Sequence, residues 1–231
     1  MGEKMWAGVL HGKNDMRYEE VDKPSPGPNE VLVKVKQTGI CGSDVPRVLG
    51  DAAHFYPIIL GHEFSGVVAG VGESVTSVKV GENVAGAPLV PCGTCEDCQR
   101  GDYSLCSHYS FIGTRQPGSF AEYVVIPEKC AVTFDASVSY EQAALIEPTA
   151  VALHGLERLD YHGGGTVAVL GGGTIGIITA QWAKAFGARE VTVFDISSPS
   201  SSGFTDKSPL YVPSCQHRSS LALSSPHTIS F

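Results

Sequence analysis

The sequence predicts an α/β chain with a β-rich first part, followed by the start of a nucleotide-type fold. Three observations carry this reading. Residues 5–130 are short β-like runs broken by glycine and proline. Near residue 140 the spacing of apolar residues changes to three and four. Residues 165–195 then read as strand, glycine turn, helix and strand.

In the first part, "EVLVKVKQTGICGSD" alternates apolar and polar residues before breaking at glycine, the pattern of a half-buried strand that ends in a loop. "EFSGVVAGVGESV" and "FAEYVVIPEKCAV" read as further strands, and "KPSPGPNE" as a turn-rich connection. The expectation is a glycine-rich barrel or sandwich with functional loops. "YEQAALIEPTAVALHGLERL" is helical, with Pro148 marking a break or a new first turn. From Ser197 onward, 12 of 35 residues are serine and four are proline, with no sustained period. Such a tail has little to bury and is expected to be disordered.

Composition narrows the classes. A chain of 231 residues with 42% hydrophobic content can form one large domain or two ordinary ones. No run of about 18 apolar residues suggests a membrane span. A net charge of −8 without a dense Lys/Arg run argues against nucleic acid or an anionic membrane as the main partner. The first residues lack the apolar stretch of a secretory signal, so a cytoplasmic location is expected. In that setting seven cysteines, four of them within residues 92–106, read as metal ligands rather than disulfides.

"PCGTCEDCQRGDYSLC" spaces Cys92, Cys95, Cys98 and Cys106 as C-x2-C-x2-C-x7-C. Thiolates two residues apart can turn back on one ion, and four complete a closed tetrahedral zinc shell whose role is to hold the loop. The first three spacings also suit an iron–sulfur cluster. The long last spacing, with no proline after Cys106, departs from the bacterial ferredoxin run and favours zinc.

A second constellation is more scattered. "GICGSD" and "LGHEFSG" supply Cys41, His62 and Glu63, and "LIEPTAV" supplies Glu147. A thiolate, an imidazole and a carboxylate make a mixed shell of three protein ligands. That composition suits a catalytic zinc with its fourth position open. Each residue alone is weak evidence; the weight lies in its combination with the four-cysteine lobe.

"VAVLGGGTIG" places Gly171, Gly173 and Gly176 in GxGxxG order after a strand and at the start of a helix. The first glycine permits a tight turn, the second admits a pyrophosphate, and the third lets helix and strand pack closely. Asp195 closes the next strand, where a carboxylate accepts from ribose hydroxyls and repels a 2′-phosphate. NAD is therefore preferred over NADP.

Taken together, "GICGSDVPRVLGDAAHFYPIILGHEFSG", the four-cysteine lobe, "FIGTRQPGSFAEY", "LIEPTAVALHG" and the glycine turn resemble the zinc-dependent medium-chain alcohol/polyol dehydrogenases, over residues 5–196. The resemblance implies a GroES-like catalytic domain at 1–152 and an incomplete, doubly wound Rossmann segment at 153–196, with 197–231 as an unrelated tail. It implies two zinc ions per chain, NAD, and a small polyol or polyol-phosphate substrate such as galactitol 1-phosphate. Cys41, His62 and Glu147 become catalytic zinc ligands, with Glu63 binding directly or exchanging with Glu147. Asp44 becomes the carboxylate that orients the zinc-bound histidine, and Ser43 the hydroxyl that takes the substrate proton. Pro46 stands where many relatives continue that relay with a histidine.

Arg47 and Arg115 are loop cations that either hold a substrate phosphate or are solvated surface residues. His54 and Cys130 read as structural, and Cys215 as incidental. Full-length relatives are expected to be homo-oligomers. Two functional readings stay open: an oxidoreductase converting a secondary alcohol to a ketone, and a catalytically silent zinc-binding truncated product. An out-of-frame or alternatively spliced tail is the simplest expectation for the sequence after Ile196.

Overall fold

The computed structural model describes residues 2–196 and the backbone of 228–230. Most of the tail expectation, and Cys215 with it, lies outside the described residues. Two compact units divide between Glu147 and Pro148.

The first unit opens with the antiparallel hairpin β1 (Lys4–Gly12) and β2 (Asp15–Asp22). Next come β3 (Glu30–Gly39), the single-turn helix α1 (Val45–Leu49), β4 (Ile58–Ile59), β5 (Glu63–Val71) and β6 (Asn83–Gly86). The cysteine lobe follows, carrying β7 (Leu89–Val90), α2 (Glu96–Arg100) and β8 (Ser110–Phe111). Then come β9 (Tyr123–Pro127), β10 (Ala131–Thr133) and α3 (Tyr140–Ala144). The main sheet has the order β10-β6-β5-β3-β9, a smaller sheet has the order β2-β1-β4, and β7 pairs with β8.

Strand β3 departs from the expected alternation. Val31, Leu32 and Val33 are buried in succession, and only from Lys34 do polar residues reach solvent. The strand runs between β5 and β9, which pair both its edges, and its first half is buried on both faces. Val31 and Val33 join Phe64, Val84, Val124 and Ile126 in the core of this sheet. Each such fully buried side chain contributes about 1.5–3 kcal/mol relative to exposure. Leu10, Ile58 and Leu60 form a separate cluster under β1 and β4.

Helix α3 starts with a capping box. Gln142 N donates to Ser139 Oγ, and Ser139 N donates to Gln142 Oε1. Ser65 Oγ of β5 donates to the Tyr140 carbonyl, and the Tyr140 hydroxyl donates to Asn83 Oδ1. These bonds tie α3 to the main sheet. A new helix, α4 (Ile146–Arg158), begins one residue after Leu145, with Pro148 in its first turn. There the missing proline N–H costs nothing.

The second unit is built on β11 (Thr166–Leu170), α5 (Thr174–Ala185) and β12 (Glu190–Phe194). The strands are parallel and in register from Thr166–Glu190 to Leu170–Phe194. Val167, Val169, Val191 and Val193 point to one face, where Ala180 and Ala183 of α5 cover them. Trp182 Nε1 donates to the Thr149 carbonyl of α4. Strand β13 (Thr228–Ser230) lies parallel to β11 on its other side, giving the order β12-β11-β13. These three residues lie within the tail that the sequence analysis expects to be disordered. Backbone pairing to an open strand edge needs no hydrophobic period, so the sequence pattern gave no sign of it. Among the described residues, no helix is long and apolar enough to cross a membrane.

Candidate metal centres and dinucleotide turn

Two groups of ligand atoms converge in the first unit. The sulfurs of Cys92, Cys95, Cys98 and Cys106 all lie within 4.8 Å of one another. Tetrahedral zinc with Zn–S bonds of about 2.3 Å needs sulfurs about 3.8 Å apart, and Cys92 Sγ and Cys98 Sγ are 3.9 Å apart. The lobe folds this way because Cys95 precedes α2, and Gly101 ends that helix in the left-handed region at φ 88°. Thr94, through its backbone and its hydroxyl, and the Cys95 amide hydrogen-bond Cys92 and lower its pKa to about 5. Burial pushes Cys98 up to about 12. Four sulfurs this close fit a soft divalent ion.

The second group is Cys41, His62 and Glu63, again with one ligand atom from each within 4.8 Å of the others. Cys41 lies in the loop between β3 and α1, and Glu63 opens β5 opposite Gly39, the last residue of β3. Gly61, at φ +95°, turns the chain just before His62 and the start of β5 at Glu63. The loop after β8 clamps that turn. Gly118 N donates to the Ile59 carbonyl, Ser119 N to the Gly61 carbonyl and Phe120 N to the Leu60 carbonyl. A Cβ at Gly113 or Gly118 would lie 2.2 Å from the Gly61 carbonyl oxygen.

Around these ligands the predicted residues fall as follows. Ser43 Oγ donates to Cys41 Sγ at 3.3 Å. Asp44 is buried, and its Oδ2 accepts from Cys41 N at 3.0 Å. Its Oδ1 faces His62 Nδ1 at 3.8 Å, and both atoms are buried without a hydrogen-bond partner. This orphaned pair is what a metal-binding histidine leaves when its other nitrogen is the ligand: a carboxylate waiting to fix the tautomer. Burial raises the pKa of Asp44, opposed by the charge of His62. Burial also raises Cys41, opposed by the hydrogen bonds from Ser43.

Glu147 is not among the three converging ligands. Burial raises its pKa, and it feels the charges of His62 and Glu63. Glu63 is the carboxylate within the converging group of three. Arg115 is exposed, with its guanidinium 4.6 Å above the Tyr109 ring. Arg47 Nη1 donates to the Ser43 carbonyl. Cys130 is buried against the Leu89 carbonyl, and burial pushes its pKa up to about 11, as suits a structural thiol.

Two neighbours of the centre went unread in the sequence. Phe111 packs its ring edge on His62, with centroids 5.6 Å apart. Gly39 leaves room for the Glu63 carboxylate, which a Cβ would meet at 2.3 Å. The only sequence signal for Gly39 was its position two residues before Cys41.

The chain is similar to proteins of known fold and activity. Residues 27–136 match the alcohol dehydrogenase GroES-like domain. The first unit is a GroES-like domain. The resemblance to zinc-dependent medium-chain alcohol and polyol dehydrogenases expected from the motifs therefore stands. Galactitol 1-phosphate 5-dehydrogenase of Escherichia coli (strain K12) is 45% identical over 170 residues, covering 74% of this chain and 49% of that protein. The crystal structure of galactitol-1-phosphate dehydrogenase from Escherichia coli superposes with a TM-score of 0.81 at 42% identity, covering 84% of this chain and 56% of that one. Sorbitol dehydrogenase of Bacillus subtilis (strain 168) is 39% identical over 199 residues, covering 84% of this chain and 56% of that protein. A dehydrogenase from Sinorhizobium meliloti 1021, solved bound to NADP, superposes at 0.81 with 37% identity, covering 85% of this chain and 57% of that one. The chain spans about half the length of the curated relatives it matches. The GroES-like domain holds both groups of converging ligands.

In the second unit the glycine turn is tightly built. Gly171 has φ +107°, and α5 begins directly after Gly173. A Cβ on Gly176 would lie 1.9 Å from the Gly171 carbonyl oxygen. The third glycine is thus required by the turn itself as much as by helix–strand packing. Asp195 Oδ2 accepts from Gly172 N at 2.6 Å. The carboxylate and the turn are therefore locked together at the end of the strand pair.

Proposed function

We propose that this chain carries the apparatus of a zinc-dependent, NAD-linked oxidoreductase that oxidises a secondary alcohol of a polyol or polyol phosphate to a ketone. The observation that supports this most is the Cys41–His62–Glu63 group, a mixed donor set beside the orphaned Asp44–His62 pair. Four converging sulfurs complete a closed shell, whereas three mixed ligands leave a position for substrate. When bound, the two cofactors supply Lewis-acid activation of an alcohol oxygen and acceptance of a hydride.

The remaining work belongs to the chain's own residues. Cys41, His62 and Glu63 hold the ion, and Glu147 is the second carboxylate able to exchange with Glu63. Asp44 orients His62 through Nδ1, leaving Nε2 as the ligand atom. The Ser43 hydroxyl, which donates to Cys41 Sγ, is placed to take the substrate proton while releasing its own proton to solvent. Gly171, Gly173 and Gly176 form the pyrophosphate turn, and Asp195 favours ribose hydroxyls over a 2′-phosphate. Cys92, Cys95, Cys98 and Cys106 hold the second zinc and shape the lobe.

The test is metal analysis followed by NAD titration and turnover with polyols. Two zinc ions per chain, micromolar NAD binding and NADH production support the reading. Zinc without NAD binding supports instead a silent zinc-binding product.

A further inference from the structure

We propose that Arg47 recognises the phosphate of a phosphorylated polyol, and so gives the Cys41–His62–Glu63 centre a preference for the phosphate ester over the free polyol. The proposal rests on the reading of that centre given above.

Among the described residues, Arg47 is set apart from the other arginines. Arg17 is paired with Asp15, and Arg100 with Glu96 and Asp97. Arg115, Arg158 and Arg189 are exposed. Arg47 is partly buried, no carboxylate makes an ion pair with it, and its Nε is buried without a hydrogen-bond partner. Its Nη1 donates to the Ser43 carbonyl, which ties the guanidinium to the residue whose hydroxyl touches the Cys41 sulfur. Asp44 is close enough to feel its charge, yet that carboxylate is committed to Cys41 N on one oxygen and turned to His62 on the other.

An unpaired, partly desolvated cation beside a ligand centre is costly unless an anion completes it. A phosphomonoester carries about −1.5 to −2 charges at pH 7 and matches the planar donor fork of arginine. A free polyol offers hydroxyls but no charge. Arg115 is the other cation first considered for this role. Its stacking on Tyr109, with Nη2 3.4 Å from the Tyr109 hydroxyl, already engages its guanidinium.

The experiment is calorimetric titration of the zinc-loaded full chain with galactitol 1-phosphate, galactitol and inorganic phosphate. The expected result for the unmodified chain is at least about tenfold tighter binding of the phosphate ester than of galactitol. Arg47→Ala should reduce that preference to about twofold or less, while Arg115→Ala should leave it intact. Arg47→Gln retains a donor for the Ser43 carbonyl without the charge, and it carries the test if the alanine variant fails to keep two zinc ions. A preference that survives Arg47→Gln, or is lost in Arg115→Ala, overturns the proposal. Inorganic phosphate binding as tightly as the ester also overturns it, because the site would then read an anion alone. If both polyols bind the unmodified chain equally, only the role of Arg47 falls. If neither binds, the polyol reading of the centre falls with it.

Discussion

Gly39 and Glu63 face each other as the last register pair of β3 and β5, and the carboxylate of Glu63 lies over the bare Cα of Gly39. A methyl group at position 39 would come within 2.3 Å of Glu63 Oε2 and 3.1 Å of its Cβ. The side chain must then swing out of the ligand group. Gly39→Ala should therefore lose one of two bound zinc ions while keeping the four-sulfur ion. Metal analysis checks this, and full retention of both ions would show that Glu63 does not depend on that space.

The two metal centres should fail independently. Cys41→Ser removes a ligand from the mixed group and is expected to reduce zinc from two ions to one. Cys98→Ser should also leave one ion, but the ion lost is the lobe's. A cobalt-substituted protein separates them, since only the lobe gives an all-thiolate absorption spectrum. Loss of both metals in either variant would mean that the centres are coupled.

In the second unit, Gly176→Ala forces a methyl against the Gly171 carbonyl at 1.9 Å. Overpacking of this kind costs about 1–3 kcal/mol and opens the turn. NAD affinity should fall at least tenfold, measured by fluorescence titration. Asp195→Asn removes the charge that repels a 2′-phosphate, so the ratio of NADP to NAD affinity should rise. An unchanged ratio would count against Asp195 as the discriminating residue.

A pH effect follows from Glu128. Its carboxylate accepts from the amides of Thr76 and Ser77, which lower its pKa below the ordinary value of 4.5. A depressed carboxylate pKa contributes stability above its unfolded-state value, and this is lost as pH falls through the folded-state value. Thermal melts at pH 7 should show Glu128→Gln destabilised. As pH falls below 4.5 the difference between the two proteins should shrink. A difference independent of pH would assign the effect to packing rather than charge.

Much of the site was legible because its signals are local. Four cysteines at short spacing, a GHE triplet and a glycine turn after a strand need no tertiary contact to be recognised. The choice between Glu63 and Glu147 was not legible, since both carboxylates stand in plausible motifs. The pairing of β3 with β5 brings Glu63 to Cys41, while Glu147 stays outside the group of three. Arg47 and Arg115 were equally ambiguous in the sequence, and in the structure Arg115 stacks on Tyr109 while Arg47 Nη1 donates to the Ser43 carbonyl.

By itself, the sequence determined which residue types stand at which spacings, and hence the four-sulfur lobe, the glycine turn and the strand–helix order. These depend on covalent spacing and short-range periodicity. The tertiary structure brought Glu63, rather than Glu147, within 4.8 Å of the ligand atoms of Cys41 and His62. It also decided that Gly39, Gly113 and Gly118 must be bare, and that Thr228–Ser230 extend the second sheet. Those outcomes depend on steric approach and backbone pairing between segments far apart in the chain, which no local pattern of residues encodes.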